Sequence, residues 1–390
     1  MKKTTVGRLG VALVVGIAST LSACGAGGGG ASKGDTSQGF LDDNQQIVTT
    51  LFEGTYGEPP AQGPEAKPGM KVWIISYGQS YAGAALEAGA AQDAASTLGW
   101  DTKIYDAKFD PSNAVAGIRQ AVAAGADGVF IPWFDCASIK AGLLEAQQAG
   151  VFVVTDEASD CAGEPLFDYV VQYHPGTFEV NDGSVSGYLQ GWGAALASYT
   201  IDRTGGKAKV LVFNQTDTST FGDVVKGGND RFAECGGCGI VDTVDFTNAD
   251  VGPNLQQKAQ QALLQHPEAN AIFAPGDGIL VGGVLAALRA SGNRYGSMVI
   301  AGGEGSSVIG DLRDYDGDWA VSTLPLDWSA YQAIDALHRL LAGEQPVADS
   351  GIGYQLVDKE HNLPSGDLAT PTADGAPIDF SALYSKAWSR

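Results

Sequence analysis

His266-Pro267-Glu268-Ala269-Asn270-Ala271-Ile272-Phe273-Ala274-Pro275-Gly276-Asp277 is the stretch whose reading decides the fold of this chain. Ala271 to Ala274 is an uninterrupted apolar run closed off by Pro275-Gly276, which reads as a strand buried on both faces. Before it, Leu255, Ala259 and Leu263 recur at helical spacing; after it, Leu280, Val284 and Leu288 do the same. A wholly apolar strand between two amphipathic helices belongs in a parallel sheet covered on both sides. Asp277 sits where the turn gives way to the next helix, a place that suits a helix N-cap and equally a ligand contact.

The same alternation extends in both directions. Toward the N-terminus, Lys71–Ile75, Thr102–Tyr105, Gly128–Ile131 and Val151–Val154 read as strands. The helices between them are an Ala-rich stretch reaching Leu98, one with Val115, Ile118 and Val122 on a face, and one with Ile139, Leu143 and Ala146. The pattern restarts near residue 182. A helix lined by Val185, Leu189, Trp192 and Leu196 precedes the strand Lys209–Phe213, and Ile240–Asp245, Ser297–Ala301 and Ala320–Thr323 are further strands. Ala330, Ile334, Leu337 and Leu341 mark a last long helix. Two doubly wound α/β lobes, each with its own core, are expected, with the chain crossing between them. The expected division is 70–181 plus 324–352 for the N-terminal lobe and 182–323 plus 353–390 for the C-terminal lobe.

The 390 residues carry a formal charge of −22, which disfavours nucleic-acid phosphate as a partner. Lys2, Lys3 and Arg8 precede a short apolar run, Val11–Ala18, and then Leu21-Ser22-Ala23-Cys24. That run is too short to span a bilayer, so residues 1–23 read as a cleaved lipoprotein signal peptide, with Cys24 as the lipidated residue. Two acyl chains on Cys24 suffice for a stable anchor. The expected location is the extracytoplasmic face of a bacterial cell membrane. Residues 24–69, rich in Gly, Ser, Gln and Pro, read as a flexible tether, with a short helix near Asn44–Phe52.

Four cysteines remain: Cys136, Cys161, Cys235 and Cys238. Export favours disulfides, and four cysteines allow three pairings. Cys136–Cys161 is the favoured long bridge because both follow core strands at one sheet edge, leaving Cys235–Cys238 as a local one. Cys235-Gly-Gly-Cys238 could instead be a redox pair or half a zinc site. It lies after a helix end rather than at a helix start, and no second pair completes a zinc tetrad.

Several segments together resemble the periplasmic-binding-protein type 1 fold, particularly the ribose-like sugar receptors of ABC importers. Val153-Val154-Thr155-Asp156 looks like the strand that ends in an acidic ligand contact. Asn181-Asp182-Gly183 with Gly187 and Gly191 looks like the hinge into the second lobe. The opening stretch, continued through Gly283, Ala287 and Gly292, carries the likeness most strongly. Ile300-Ala301-Gly302-Gly303-Glu304-Gly305 resembles the next strand and ligand turn, Ser322-Thr323-Leu324-Pro325 the return hinge, and His361-Asn362-Leu363 the family's C-terminal end. The likeness spans roughly residues 70 to 365. It implies an ABC-importer lipoprotein, monomeric, with permease subunits as partners and no cofactor or metal. A chemosensory receptor without transport fits the same resemblance.

In open α/β sheets, ligands sit beyond the carboxyl ends of the strands, and a cleft between two such edges can close on a solute. A sugar needs acceptors for its hydroxyls and aromatic faces for its C–H surface. The first lobe's turns offer Tyr77, Gln79, Ser80, Tyr81, Trp133, Phe134, Asp135, Asp156 and Glu157. From the second lobe come Asn214, Phe221, Asp277, Glu304 and the hinge residue Thr323. Tyr77, Trp133 and Phe134 could equally pack the lobe, and Asp327 and Trp328 could either line the cleft or start the last helix.

One departure stands out. The sugar receptors usually place an arginine just after the Asp156 position and another in the helix following Phe213. Here the first place holds Glu157, and the second region has Lys226 and no arginine before Arg231. Carboxylates beside aromatic faces suit a cation, so an amine or amino-sugar competes with a neutral sugar or polyol as the expected ligand. Catalysis is not expected. There is no Gly-rich phosphate loop, no His-Glu-x-x-His and no Gly-x-Ser-x-Gly elbow, and His174, His266, His338 and His361 are scattered.

Overall fold

The computed structural model describes residues 35–389. The signal-peptide and Cys24 expectations lie outside the described residues.

The first sheet is wholly parallel, with strands β1 (Lys71–Ser76), β2 (Asp101–Asp106), β3 (Gly128–Phe130), β4 (Phe152–Thr155) and β5 (Tyr169–Val170) in the order β2-β1-β3-β4-β5. Helices α2 (Ala82–Thr97), α3 (Pro111–Ala123) and α4 (Cys136–Ala149) make the crossovers. Asp110 caps α3 by accepting from Ser112 N at 2.7 Å, with Pro111 just inside the start, where its missing N–H is not needed.

The second sheet has the order β11-β10-β9-β8-β6-β7. Its strands are β6 (Lys209–Gln215), β7 (Gly239–Phe246), β8 (Ala271–Ala274), β9 (Val299–Gly302), β10 (Trp319–Ser322) and β11 (Leu356–Val357). All pair in parallel except β11, an antiparallel edge strand on β10. Helices α5 (Val185–Arg203), α6 (Ser219–Glu234) and α7 (Pro253–Gln265) cover it, followed in the chain by the short helices α8 (Asp277–Ile279), α9 (Leu285–Ala290) and α10 (Ile309–Asp314). Helix α5 is buried almost all round, and it meets α6 backbone to backbone. A Cβ on Gly227 would lie 1.9 Å from Gln190 O, so glycine is required at that crossing.

Three corrections concern domain organisation. First, residues 24–69 are not a tether where they are described. Helix α1 (Gln38–Glu53) buries Val48 and Leu51 against the second half, and the buried Asn44 Nδ2 donates to Ser198 O at 3.0 Å. The chain then runs along the hinge, with Thr55 N donating to Tyr354 O and Gly57 N to Gly351 O. A polar composition concealed this because the docking energy comes from one narrow apolar face and from main-chain bonds.

Second, residues 353–390 do not all join the second half. Strand β11 does, but helix α12 (Phe380–Trp388) packs on α2 and on α11 (Leu326–Ala342), which cover the first sheet. The Trp388 indole N–H donates to the buried Asp335 at 2.8 Å, and Asp335 also pairs with Arg339 at 2.7 Å. Third, the halves are separately cored only on their outer faces. Their inner faces belong to one apolar cluster that passes through the hinge by way of Tyr173, Tyr188, Trp328 and Tyr354, so the described residues form one compact unit. Both bridges, Cys136–Cys161 and Cys235–Cys238, are formed.

Candidate functional site

The carboxyl ends of the two sheets face each other, and a cavity of about 360 Å³ lies between them. The first half contributes Tyr77, Ser80 and Tyr81 after β1, Phe109 after β2 and Trp133 after β3. The second half contributes Gln215, Thr218 and Phe221 around the start of α6, Asn248 and Val251 after β7, and Gly278 and Ile279 after β8. A smaller space of about 160 Å³ adjoins it, sharing Tyr77, Phe109, Trp133, Thr218 and Asn248 and adding Phe134 and Asp135. These sizes suit a small solute. A larger groove of about 440 Å³ runs along Phe178, Gln190, Gly227 and Arg231, beside α5 and α6 and away from the strand ends.

Aromatic rings build the cavity wall. Tyr77 lies 5.2 Å from Phe109 and 5.0 Å from Phe134, and Trp133 meets Phe221 of the other half edge-on at 6.1 Å. Burial, with Asp217 and Asp135 nearby, pushes the Tyr77 phenol up to about 12, so it stays a neutral donor. Phe109 and Trp133 hold left-handed backbone (φ 61° and 69°), as does Glu157 (φ 41°). Such conformations cost on the order of 1–3 kcal/mol each and persist where surrounding contacts fix them. Phe109 N donates to Tyr77 O at 2.7 Å, and the Trp133 indole N–H donates to Glu87 Oε2 at 2.9 Å.

Behind Trp133 lies a group of three carboxylates, Glu87, Asp156 and Glu157, none of them solvent-exposed. They offer oxygens within 4.8 Å of one another. Glu157 Oε1 accepts from Tyr173 Oη at 2.8 Å and Ser329 Oγ at 3.3 Å. Glu87 Oε1, both Asp156 oxygens and Glu157 Oε2 accept no hydrogen bond from N–H or O–H groups elsewhere in the described residues. Burial first, then mutual repulsion, holds Glu87 and Glu157 well above the usual carboxylate range, and burial lifts Asp156 to about 7.

The second half's carboxylates are differently employed. Asp277 Oδ1 accepts from Glu304 N at 2.8 Å and Gly305 N at 3.2 Å, and Oδ2 accepts from Ser307 N at 2.5 Å. Glu304 Oε2 accepts from Asp277 N at 2.6 Å. The pair therefore ties the turn after β9 to the turn after β8, and burial raises both, Glu304 to about 7. Thr323 Oγ1 is taken by Gln355 N and the Tyr56 hydroxyl, within the hinge. The Asn214 side chain donates to Asp245 at 2.7 Å outside the cavity, whereas its neighbour Gln215 lines it, because successive strand side chains alternate in direction. Exposed Gln79 donates to Ser76 Oγ and is not on the cavity wall.

Asp135 joins the halves. Its Oδ1 accepts from Ser159 N at 2.8 Å and Ser219 Oγ at 2.5 Å, and its Oδ2 accepts from Ser219 N at 3.1 Å. The Thr220 hydroxyl donates to Glu157 O nearby. Lys226 points to Gln190 and Asp230, and Arg231 to Ser198, Asn44 and Glu234, so neither places a cation at the carboxylates.

Phe109, Gln215, Thr218, Asn248, Val251 and Glu87 were not among the sequence expectations. Glu87 did leave a signal: it is the lone charge among Ala84, Ala88 and Ala91, on the inner face of α2.

A family model described as "Periplasmic binding protein domain" matches residues 74–345. No curated protein matches the chain. Among solved structures, a galactofuranose binding protein superposes with a TM-score of 0.62 at 19% identity, covering 75% of this chain and 95% of its own. An ABC transporter solute binding protein from Mycobacterium smegmatis with bound glycerol gives 0.64 at 19% identity, covering 78% and 100%. A 5-methylthioribose transporter solute binding protein from Thermotoga lettingae gives 0.64 at 16% identity, covering 81% and 99%. At these identities the likeness is one of fold.

Proposed function

The chain belongs to the periplasmic binding protein family, and from that premise we propose that it is an ABC-importer receptor that closes on a small sugar-like or polyol solute between its sheets. The observation that carries this is the cavity itself: aromatic faces from both halves, with Ser80, Gln215, Thr218 and Asn248 as polar partners, at the carboxyl ends of two sheets. Aromatic rings stack on the apolar faces of a sugar while the amides and hydroxyls take its hydroxyl groups. Binding requires only that the closed arrangement hold the solute better than an open one, which shifts an existing equilibrium without chemistry.

The proposed motion is a swing about the segments where the chain passes between halves, around Tyr173–Asn181, Thr323–Leu324 and Ser350–Gln355. Asp135 with Ser219 is the contact that forms on closing. A galactofuranose binding protein and the glycerol-bound and 5-methylthioribose-bound proteins among the similar folds support a hydroxyl-rich solute. Lipid anchoring at Cys24 on the outer face of the cell membrane and hand-over to permease subunits complete the reading. Among the described residues no helix is long and apolar enough to cross a membrane.

The test is a thermal-shift screen of sugars, polyols and their amino derivatives. A ligand at about 100 times its Kd stabilises by about 2.7 kcal/mol. A shift with members of this set, and loss of their uptake on gene deletion, is expected. Absence of any shift across the set sinks the proposal.

A further inference from the structure

We infer that the bound solute carries a protonated amine, and that Glu87, Asp156 and Glu157 form its seat; this rests on the sugar-like reading above and adds a charge to it. The three side chains come from different places in the fold, one from the middle of α2 and two from the end of β4, yet they converge with no exposed surface. The groups acting most strongly on them are one another, Trp133, Tyr173 and Ser329; no lysine, arginine or histidine is among them. Buried carboxylates elsewhere in this chain are supplied with donors: Asp277 has three backbone N–H groups, and Asp335 has Arg339 and Trp388. Among the described residues, only the Glu87–Asp156–Glu157 group leaves four carboxylate oxygens without a donor from outside the group. The protons these raised carboxyls keep can serve only one another's oxygens; buried acceptors with no donor from outside the group are costly, so a donor brought by the ligand is the physical reading.

The geometry selects among cations. A primary ammonium has three N–H donors in a compact head, and three carboxylates within 4.8 Å of one another can each take one. Calcium asks for roughly six to eight oxygens and magnesium keeps several waters, which four oxygens sealed from solvent do not provide. Trp133 links the seat to the cavity, since its ring forms the wall and its indole N–H holds Glu87. The amine would sit behind that ring with the hydroxyl-bearing body in front of it. Entry needs the second half to withdraw, because Thr220 of α6 lies on the Glu157 backbone.

The test titrates matched pairs into the full chain by calorimetry at pH 7.5: D-glucosamine against D-glucose, D-galactosamine against D-galactose, and 1-amino-1-deoxy-D-glucitol against D-glucitol, with calcium chloride as a separate probe. For at least one pair the amine is expected to bind ten-fold or more tightly than its neutral partner. Repeating the titration in buffers of different ionisation enthalpy should show protons leaving the carboxyl groups as the ammonium enters. Glu87→Gln and Asp156→Asn should each cut the amine preference to under three-fold, and their melting curves show whether they fold. If neutral members bind as well as amines, the charge is refuted while the sugar-like reading stands. If calcium alone binds, or nothing does, both fall.

Discussion

Breaking the contact between Asp135 and Ser219 should loosen the closed form without unfolding either half. Ser219 is the first residue of α6, and the Asp135 carboxylate accepts both its hydroxyl, at 2.5 Å, and its N–H, at 3.1 Å. Hydrogen bonds to a charged group contribute about 1.5–3 kcal/mol, and a carboxylate at a helix N-terminus adds about 0.3–1 kcal/mol. Asp135 is only partly buried, so the lower end applies, roughly 1.5 kcal/mol for the hydroxyl alone. Apparent affinity scales with the fraction that can close, so Ser219→Ala should weaken Kd about ten-fold. Asp135→Ala also loses the bond to Ser219 N and should weaken it roughly 30- to 100-fold. The double variant should match Asp135→Ala within about three-fold, because the hydroxyl then has no carboxylate to bind. Titration calorimetry supplies the three Kd values. Multiplicative losses, or unchanged Kd in both single variants, would refute a contact made across the closing surfaces.

Phe221→Ala removes the second-half ring facing Trp133 and should weaken ligand binding about five- to thirty-fold with little change in Tm, read by calorimetry and thermal melts. The unliganded protein should lose stability from about pH 4 to pH 7, because folded Asp156 keeps its proton to about pH 7 whereas the unfolded chain releases it near pH 4. The stabilising protonation is complete below the unfolded value and gone above the folded one. Urea melts across that range check it, and Asp156→Asn should reduce the slope without abolishing it, because burial also raises Glu87, Glu157 and Glu304; equal stability at pH 5 and pH 8 in the parent would contradict it. Replacing Cys136 and Cys161 with serine, which opens a loop of sequence separation 25, should cost about 3.5 kcal/mol, against about 1.6 kcal/mol for the separation of 3 between Cys235 and Cys238. Equal losses in urea melts would count against loop entropy as the source.

The strands were legible because buried parallel strands are written as unbroken apolar runs, as at Ala271–Ala274 and Val153–Val154, and the helices because their inner faces repeat at helical spacing. The segments that follow β1, β3 and β6 do line the cavity, at Tyr77, Trp133 and Phe221. Direction was harder to read. Asn214 and Gln215 are both polar at the end of β6, and only the side-chain alternation set by strand register decides which one faces the cavity. Asp277 was read as either cap or ligand contact; its oxygens instead bind the next turn, a pairing between segments 27 residues apart that no local signal announces. Helix α1 and helix α12 find their places through long-range packing, on α5 and on α11 with α2. Neither site is written in local sequence. Glu87 was visible as an oddity among alanines, but its convergence with Asp156 and Glu157 depends on how α2 lies against β4.

The most direct measurement is a crystal structure of the protein grown with whichever compound gives the largest thermal shift. The ligand should lie between Tyr77, Trp133 and Phe221, with both sheets' carboxyl ends around it and Asp135 bonded to Ser219. A ligand resting in the groove along Phe178, Gln190 and Arg231, with the space between the sheets collapsed, would contradict the proposed function outright.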